Sequence, residues 1–130
     1  MAKPLILIID DDETSRDVIS KYLEKTHEIE TTPSGITSLK MIKNKQYSMI
    51  LLDINLGEQM TGLDILKLIR EMPSYLNVPV IAVTAYAFEK EKLQFLAAGC
   101  DDYISKPFSK KELLGLISRV AERFGVTDLI

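Results

Sequence analysis

The stretch LILIIDDD, residues 5–12, joins five apolar residues to three consecutive acids. A short, nearly continuous apolar run is typical of a strand that is covered on both faces of a parallel sheet. Similar runs at residues 49–52 and 80–83 predict two further central strands. The alternating segment 27–31 and the brief segment around Tyr103 and Ile104 suit strands nearer the sheet edges.

Helical apolar patterns lie between these strands. The first stripe contains Val18, Ile19, Tyr22 and Leu23, the second Ile36, Leu39 and Ile42, the third Leu66, Ile69 and Met72, and the last Leu113, Leu114, Ile117, Val120 and Ala121. A fourth helix across residues 88–98 has a weaker pattern. Thr61 with Asp64 and Ser109 with Glu112 read as capping boxes, and Gly99 and Gly125 as C-terminal caps. Five strand and helix alternations predict an α/β, doubly wound parallel sheet.

Composition narrows the function classes. The chain has 130 residues and a net charge of −3, which predicts one domain over residues 1–130, with a core at about 4–124 and a short C-terminal tail. No basic segment favours nucleic acid or an anionic membrane. The first apolar run is too short for a signal peptide or a membrane span, so we expect a cytoplasmic protein. Cys100 is the only cysteine, and we expect it to be a small buried residue.

The predicted strand ends carry the chemistry. Asp10, Asp11 and Asp12 follow the first strand, Asp53 ends the third, Thr84 ends the fourth, and Lys106-Pro107 follow the fifth. In a doubly wound sheet these carboxyl ends share one edge, where ligands bind. Carboxylates that repel each other there need a cation, and oxygen ligands favour Mg²⁺, with Mn²⁺ as an alternative. A carboxylate nucleophile, a divalent cation, a hydroxyl and an ammonium are the groups that phosphoryl transfer requires.

Four motifs then give a family resemblance: Ile8-Ile9-Asp10-Asp11, Leu51-Leu52-Asp53, Val83-Thr84-Ala85 and Ser105-Lys106-Pro107. In this order the chain resembles the response-regulator receiver domains of two-component signalling. The resemblance implies a flavodoxin-like fold with five strands in the order 2-1-3-4-5 and five helices. It covers nearly the whole chain.

The resemblance also implies residue roles. Asp53 resembles the phosphoacceptor and a metal ligand. The other implied metal ligands are Asp11 directly, Asp10 through a water molecule and Asn55 through its main-chain carbonyl. The implied phosphoryl-stabilising groups are Thr84, Ala85 and Lys106, and the implied switch consists of Thr84 and Tyr103. Asn55 and Tyr86 are expected to tune the lifetime of the phosphoryl group. The peptide bond between Lys106 and Pro107 is implied to be cis.

Partners follow from the same resemblance. The implied phosphoryl donor is a sensor histidine kinase or a histidine phosphotransfer protein. The implied partner-binding surface, whose affinity changes on phosphorylation, is formed by the fourth helix, the fifth strand and the fifth helix. That surface would bind a downstream protein, a second copy of the chain, or the next member of a phosphorelay. Direct nucleic-acid or membrane binding is not expected. The domain would catalyse only its own phosphorylation and dephosphorylation.

Several alternatives stay open at this point. Asp12 is more readily explained as a helix N-cap than as a metal ligand, and His27 as a structural or solvated residue. The lysines beside the last two helices, Lys90, Lys92, Lys110 and Lys111, are most simply a solvated face. A phosphohydrolase of the haloacid dehalogenase type would need a second Asp where the chain has Asn55. A phosphate-independent binding module would have no use for the full set of strand-end residues. The loop after Asp53, residues 56–62, has no proline and departs from the family pattern.

Overall fold

In the part of the chain that the structure describes, one five-stranded parallel sheet forms the centre. The computed structural model describes residues 3–57, 60–85 and 88–125. The strands are β1 (Leu5–Ile9), β2 (Glu28–Thr32), β3 (Met49–Asp53), β4 (Val80–Thr84) and β5 (Asp102–Ser105). Their order is β2-β1-β3-β4-β5, with every neighbouring pair parallel. The predicted topology is therefore confirmed.

Within the described residues, five α-helices connect and cover the strands. They are α1 (Glu13–Leu23), α2 (Gly35–Asn44), α3 (Gly62–Arg70), α4 (Glu89–Ala97) and α5 (Lys110–Phe124). A short 3₁₀ helix, Pro73–Tyr75, precedes β4. Met72 belongs to the predicted third stripe but lies beyond α3, because the following proline disfavours helical backbone at Met72.

Side chains of the sequence fix the helix ends. Thr61 with Asp64 and Ser109 with Glu112 form the two predicted capping boxes at the starts of α3 and α5. Gly125 adopts a left-handed conformation with φ of 68° and ends α5. These caps orient the helices that follow the functional edge of the sheet.

The sheet separates two apolar cores. Ile6 and Ile8 point to the side covered by α1 and α5, whereas Leu7 and Ile9 point to the side covered by α2, α3 and α4. This alternation is the two-residue period of a strand, and it explains why the central runs are apolar throughout. Val18 and Ile36 were expected in the helical stripes, but their side chains are exposed.

Cys100 and His27 are both buried. Burial raises the pKa of the Cys100 thiol to about 12, so this side chain is an apolar core residue rather than a reactive thiolate. His27 Nδ1 lies 2.7 Å from the Thr26 hydroxyl, at the edge of the sheet beside β2. Within the described residues, no helix is both long enough and apolar enough to cross a membrane.

Candidate functional site

The carboxyl ends of four strands bring the predicted polar residues together. Asp53 and Thr84 are the last residues of β3 and β4. Asp10 directly follows β1, and Lys106 directly follows β5. Because β1 and β3 are neighbours and the chain leaves them toward helices on opposite faces of the sheet, the acids lie at the point where the strand order reverses.

Asp10, Asp11 and Asp53 form a compact acidic cluster. One carboxylate oxygen from each lies within 4.8 Å of the other two. Asp10 and Asp53 are buried, with 1% and 5% of their surfaces exposed, whereas Asp11 is exposed. Three oxygen donors with one open side suit a hard cation that retains water, which fits Mg²⁺ or Mn²⁺ better than zinc. The residues present therefore fit the metal that the sequence predicted.

Lys106 supplies a positive charge to the same cluster. Its Nζ donates a hydrogen bond of 2.8 Å to Asp10 Oδ2 and lies 3.5 Å from Asp53 Oδ2. Burial lowers the pKa of Lys106, but the hydrogen bond to Asp10 and the charges of the two acids outweigh burial and raise it. The ammonium is thus held as a fixed cation over two carboxylates.

Burial and a neighbouring acid make Asp53 harder to ionise. Burial raises its pKa to about 6, and the nearby charge of Asp10 adds to the increase. The Asn55 backbone N–H opposes this effect by donating a 3.0 Å hydrogen bond to Asp53 Oδ1. Oδ1 is therefore fixed by the backbone, while Oδ2 faces the ammonium of Lys106.

Main-chain hydrogen bonds hold the loops that carry these groups. Asp10 accepts a 2.9 Å bond from the Asp12 N–H at its side chain and a 2.7 Å bond from Arg16 at its carbonyl. The Lys106 backbone N–H donates a hydrogen bond of 2.8 Å to the Thr84 carbonyl, and this bond joins the ends of β4 and β5. The Lys106-Pro107 peptide is cis.

Asp12 is the helix cap that the sequence favoured, and two expected site residues lie apart from the acidic cluster or outside the described chain. Asp12 turns to the start of α1, where its carboxylate accepts bonds from the Ser15 N–H and hydroxyl, as a cap does. Tyr103 lies on β5, half-buried, with its ring beside Lys92. Tyr86 lies outside the described residues, as do two residues of the loop after Asp53.

Comparison with known proteins decides the family. The sequence model of the response regulator receiver domain matches residues 6–118. The chain belongs to the response regulator receiver family. Receiver domains are signalling domains and work with histidine kinases or phosphotransfer proteins.

Individual receivers agree with this assignment. The heme response regulator HssR of Staphylococcus saprophyticus is 34% identical over 121 residues, which cover 92% of this chain and 52% of HssR. The chain therefore spans about half the length of that relative. The solved structure of the chemotaxis protein CheY4 of Vibrio cholerae is 28% identical in sequence and superimposes with a TM-score of 0.86. The match covers 92% of this chain and 99% of the CheY4 chain. The structure of a BeF₃-activated DrrB receiver domain is 27% identical in sequence and has a TM-score of 0.82. This match covers 93% of this chain and 99% of the DrrB chain.

Two glycines of this receiver shape the site and were not anticipated as site residues. A Cβ at Gly62 would lie 2.5 Å from the Asp53 carbonyl oxygen and 2.5 Å from Ile54 Cα. A Cβ at Gly57, whose φ is 67°, would lie 2.9 Å from Asp11 Oδ2. Both positions therefore need glycine so that the loop after β3 can pass close to the acids. The sequence shows the glycines but not the close approach.

Proposed function

We propose that this receiver accepts a phosphoryl group on Asp53 from a phosphohistidine and acts as a signalling switch. The donor is a sensor histidine kinase or a histidine phosphotransfer protein. The observation that carries the proposal is the buried Asp53 carboxylate, which lies beside a second buried acid, Asp10, with the Lys106 ammonium in contact with both. An acid, a metal-binding set of oxygens and a fixed cation at one sheet edge match the needs of phosphoryl transfer.

The transfer step follows from the chemistry of these groups. A carboxylate oxygen of Asp53 forms a bond to phosphorus while the phosphorus–nitrogen bond of the donor breaks. The electron pair of that bond stays on the imidazole, which leaves as a neutral ring when its other nitrogen carries a proton. Lys106 then pairs with a phosphoryl oxygen, and the Thr84 hydroxyl and the Ala85 N–H bind others.

Mg²⁺ would be held by the carboxylates of Asp10, Asp11 and Asp53 and by the main-chain carbonyl of Asn55. When bound, it neutralises negative charge on the phosphoryl oxygens and on the acids. The raised pKa of Asp53 supports this assignment, because a carboxylate that is costly to ionise in the folded protein gains most from a nearby cation. Mn²⁺ has suitable chemistry for the same ligands.

The acyl phosphate would be lost by attack of water. Asn55 occupies the position where a haloacid dehalogenase phosphohydrolase needs an acid, so this receiver has no second carboxylate there to activate water. We therefore propose a domain that catalyses only its own phosphorylation and dephosphorylation. Asn55 and Tyr86 would tune the lifetime of the acyl phosphate.

Output would depend on a two-state switch. Thr84 would move toward the phosphoryl group, Tyr103 would turn inward, and the surface formed by α4, β5 and α5 would change its affinity for a partner. A downstream protein, a second copy of the chain or a further phosphorelay protein would bind there. Lys106 contacts the acids at the end of β5, so the site and this surface share one strand.

Phosphorylation is tested by intact mass after incubation with acetyl phosphate, with and without Mg²⁺. We expect one phosphoryl group to be added only when Mg²⁺ is present, and Asp53→Asn to abolish the addition. Asp17→Asn removes an exposed acid on α1 and serves as the matched control, with full addition expected. A folded wild-type protein that gains no mass under conditions in which another receiver reacts would instead favour a phosphate-independent binding module.

A further inference from the structure

A cation–π contact joins α4 to the switch residue on β5. Lys92 Nζ lies 4.7 Å from the centroid of the Tyr103 ring. Interaction with the Tyr103 side chain also raises the pKa of Lys92. Lys92 is half-buried, whereas Lys90 on the same helix is exposed. Lys92 is therefore not the simple solvated lysine that the sequence suggested.

Helix α4 is otherwise weakly attached to the described part of the molecule. Phe95 is the only buried residue of α4. Phe88 stands at the N-cap position without a side-chain hydrogen bond to the helix, and its side chain is 69% exposed. Leu93 and Leu96 are exposed as well. A single contact near the start of α4 can therefore influence where this helix lies.

Tyr103 is placed to connect α4 with the phosphorylation site. Its ring is half-buried and packs against the core that contains Phe95. Lys106 follows three residues later in the chain, and its backbone bonds to Thr84. The ring is only half-buried in this structure and has the Lys92 ammonium 4.7 Å from its centroid, so a further inward turn of the ring would break this contact.

We propose that Lys92 is a positioning residue that holds the Tyr103 ring in its half-buried position and so opposes the activated conformation. This inference rests on the proposed function, in which phosphorylation turns Tyr103 inward. A contact made in only one of two conformations shifts the equilibrium toward that conformation. By linkage, the same contact lowers the affinity of Asp53 for an activating ligand. Loss of the ammonium therefore favours activation.

The probe is beryllofluoride with Mg²⁺, since BeF₃⁻ bound to a carboxylate oxygen resembles an acyl phosphate. We expect Lys92→Met to bind beryllofluoride about two- to fivefold more tightly than wild type, the size expected for a cation–π contact that is still reached by solvent. Lys92→Arg keeps a cation above the ring and should restore affinity close to the wild-type value. Lys90→Met removes a lysine that has no contact with Tyr103 among the described residues and is the matched control.

The Tyr103 ring resonances of the free protein give an independent readout by NMR. They should shift in Lys92→Met and stay unchanged in Lys90→Met. In a Tyr103→Leu background, Lys92→Met should no longer change beryllofluoride affinity, because the ring is gone.

Two outcomes would contradict the inference, and they are distinguishable. Equal affinities in Lys92→Met and Lys90→Met, with tight binding by the wild type, would remove the role of Lys92 and leave the proposed function intact. A folded wild-type protein that does not bind beryllofluoride would overturn both the proposed function and the role of Lys92.

Discussion

Asp53 is a buried acid whose ionisation is unfavourable in the folded protein. Its pKa rises from 3.8 to about 6 because of burial and the charge of Asp10. Between these values the folded chain keeps a proton that the unfolded chain has lost. The free energy of unfolding therefore falls as the pH rises from about 4 to 6, and the loss is complete above pH 6.

Replacing Asp53 with Asn should remove this pH-dependent decrease in the free energy of unfolding. In EDTA, we expect Asp53→Asn to be more stable than wild type by about 1–2 kcal/mol at pH 8, with little difference below pH 4. Denaturant unfolding at several pH values measures the difference. Asp17→Asn, which changes an exposed acid on α1, should follow the wild-type curve. A stability gain of Asp53→Asn that is the same at pH 4 and pH 8 would contradict the explanation.

At the residue scale, strand-end chemistry is readable from sequence and close approach is not. Asp10, Asp53 and Lys106 were predicted because each follows or ends a strand, and the parallel topology then brings them together. Gly62 was not identified as a site residue. A side chain is excluded there because the Asp53 carbonyl, nine positions earlier in the chain, lies too close for a Cβ atom. The cation–π contact of Lys92 also depends on tertiary packing alone.

Helices α3 and α5 begin with the same device but differ in how they contact the rest of the protein. Both start with capping boxes. Gly62 of α3 touches the backbone at the end of β3, whereas a Cβ at Gly115 of α5 would meet only the far end of Arg119, at 3.4 Å. The two helices therefore offer a matched pair of glycine substitutions.

We expect Gly62→Ala and Gly115→Ala to change stability in opposite directions. Gly62→Ala should lower the free energy of unfolding by about 1–3 kcal/mol, because backbone atoms would have to move. It should also slow phosphorylation, since those atoms belong to Asp53 and Ile54. Gly115→Ala should raise the free energy by about 0.5–1 kcal/mol through helix propensity. Denaturant unfolding and phosphorylation rates provide the measurements, and equal effects of the two substitutions would refute this assignment.

Helix positions were predicted better than helix surfaces. Strong caps and periodic apolar residues located α3 and α5 correctly. Val18 and Ile36 fitted the helical stripes yet are exposed, because a stripe on the sequence is wider than the face that touches the sheet. The weak pattern of α4 agrees with a helix that buries only Phe95.

On the scale of the whole molecule, the two ends of the strands differ in role: the carboxyl edge carries the polar site, and the amino edge carries stabilising contacts. The carboxyl edge holds the acids and Lys106. At the amino edge, Arg70 at the end of α3 joins segments that precede two strands. Its guanidinium donates to Asp101 at 2.7 Å and to the carbonyls of Gly99, Tyr75 and Val78 at 2.8–2.9 Å. Asp101 also accepts a bond from the Val80 N–H at the start of β4.

Removing Arg70 should therefore affect stability without affecting chemistry. We expect Arg70→Met to lower the free energy of unfolding by about 2–4 kcal/mol, because several half-buried carbonyls and Asp101 lose their donor. Arg70→Lys should recover only part of the loss, since an ammonium cannot reproduce the planar fork. Under conditions where the variant stays folded, acetyl phosphate should still load it fully. Incomplete phosphorylation of folded Arg70→Met would show that the two edges are coupled.

The pairing of Asp10 with Lys106 spans 96 positions of the sequence. During synthesis on the ribosome, the acids of the first and third strands emerge well before the lysine that neutralises them. A nascent chain that stops before β5 has carboxylates at the sheet edge and no ammonium beside them. Only a chain translated through Lys106 can close the ion pair, so a product that terminates before β5 keeps Asp10 and Asp53 without the ammonium that lies beside them in the folded domain. The charge arrangement therefore makes neutralisation of the acidic sheet edge depend on translation of the chain as far as Lys106.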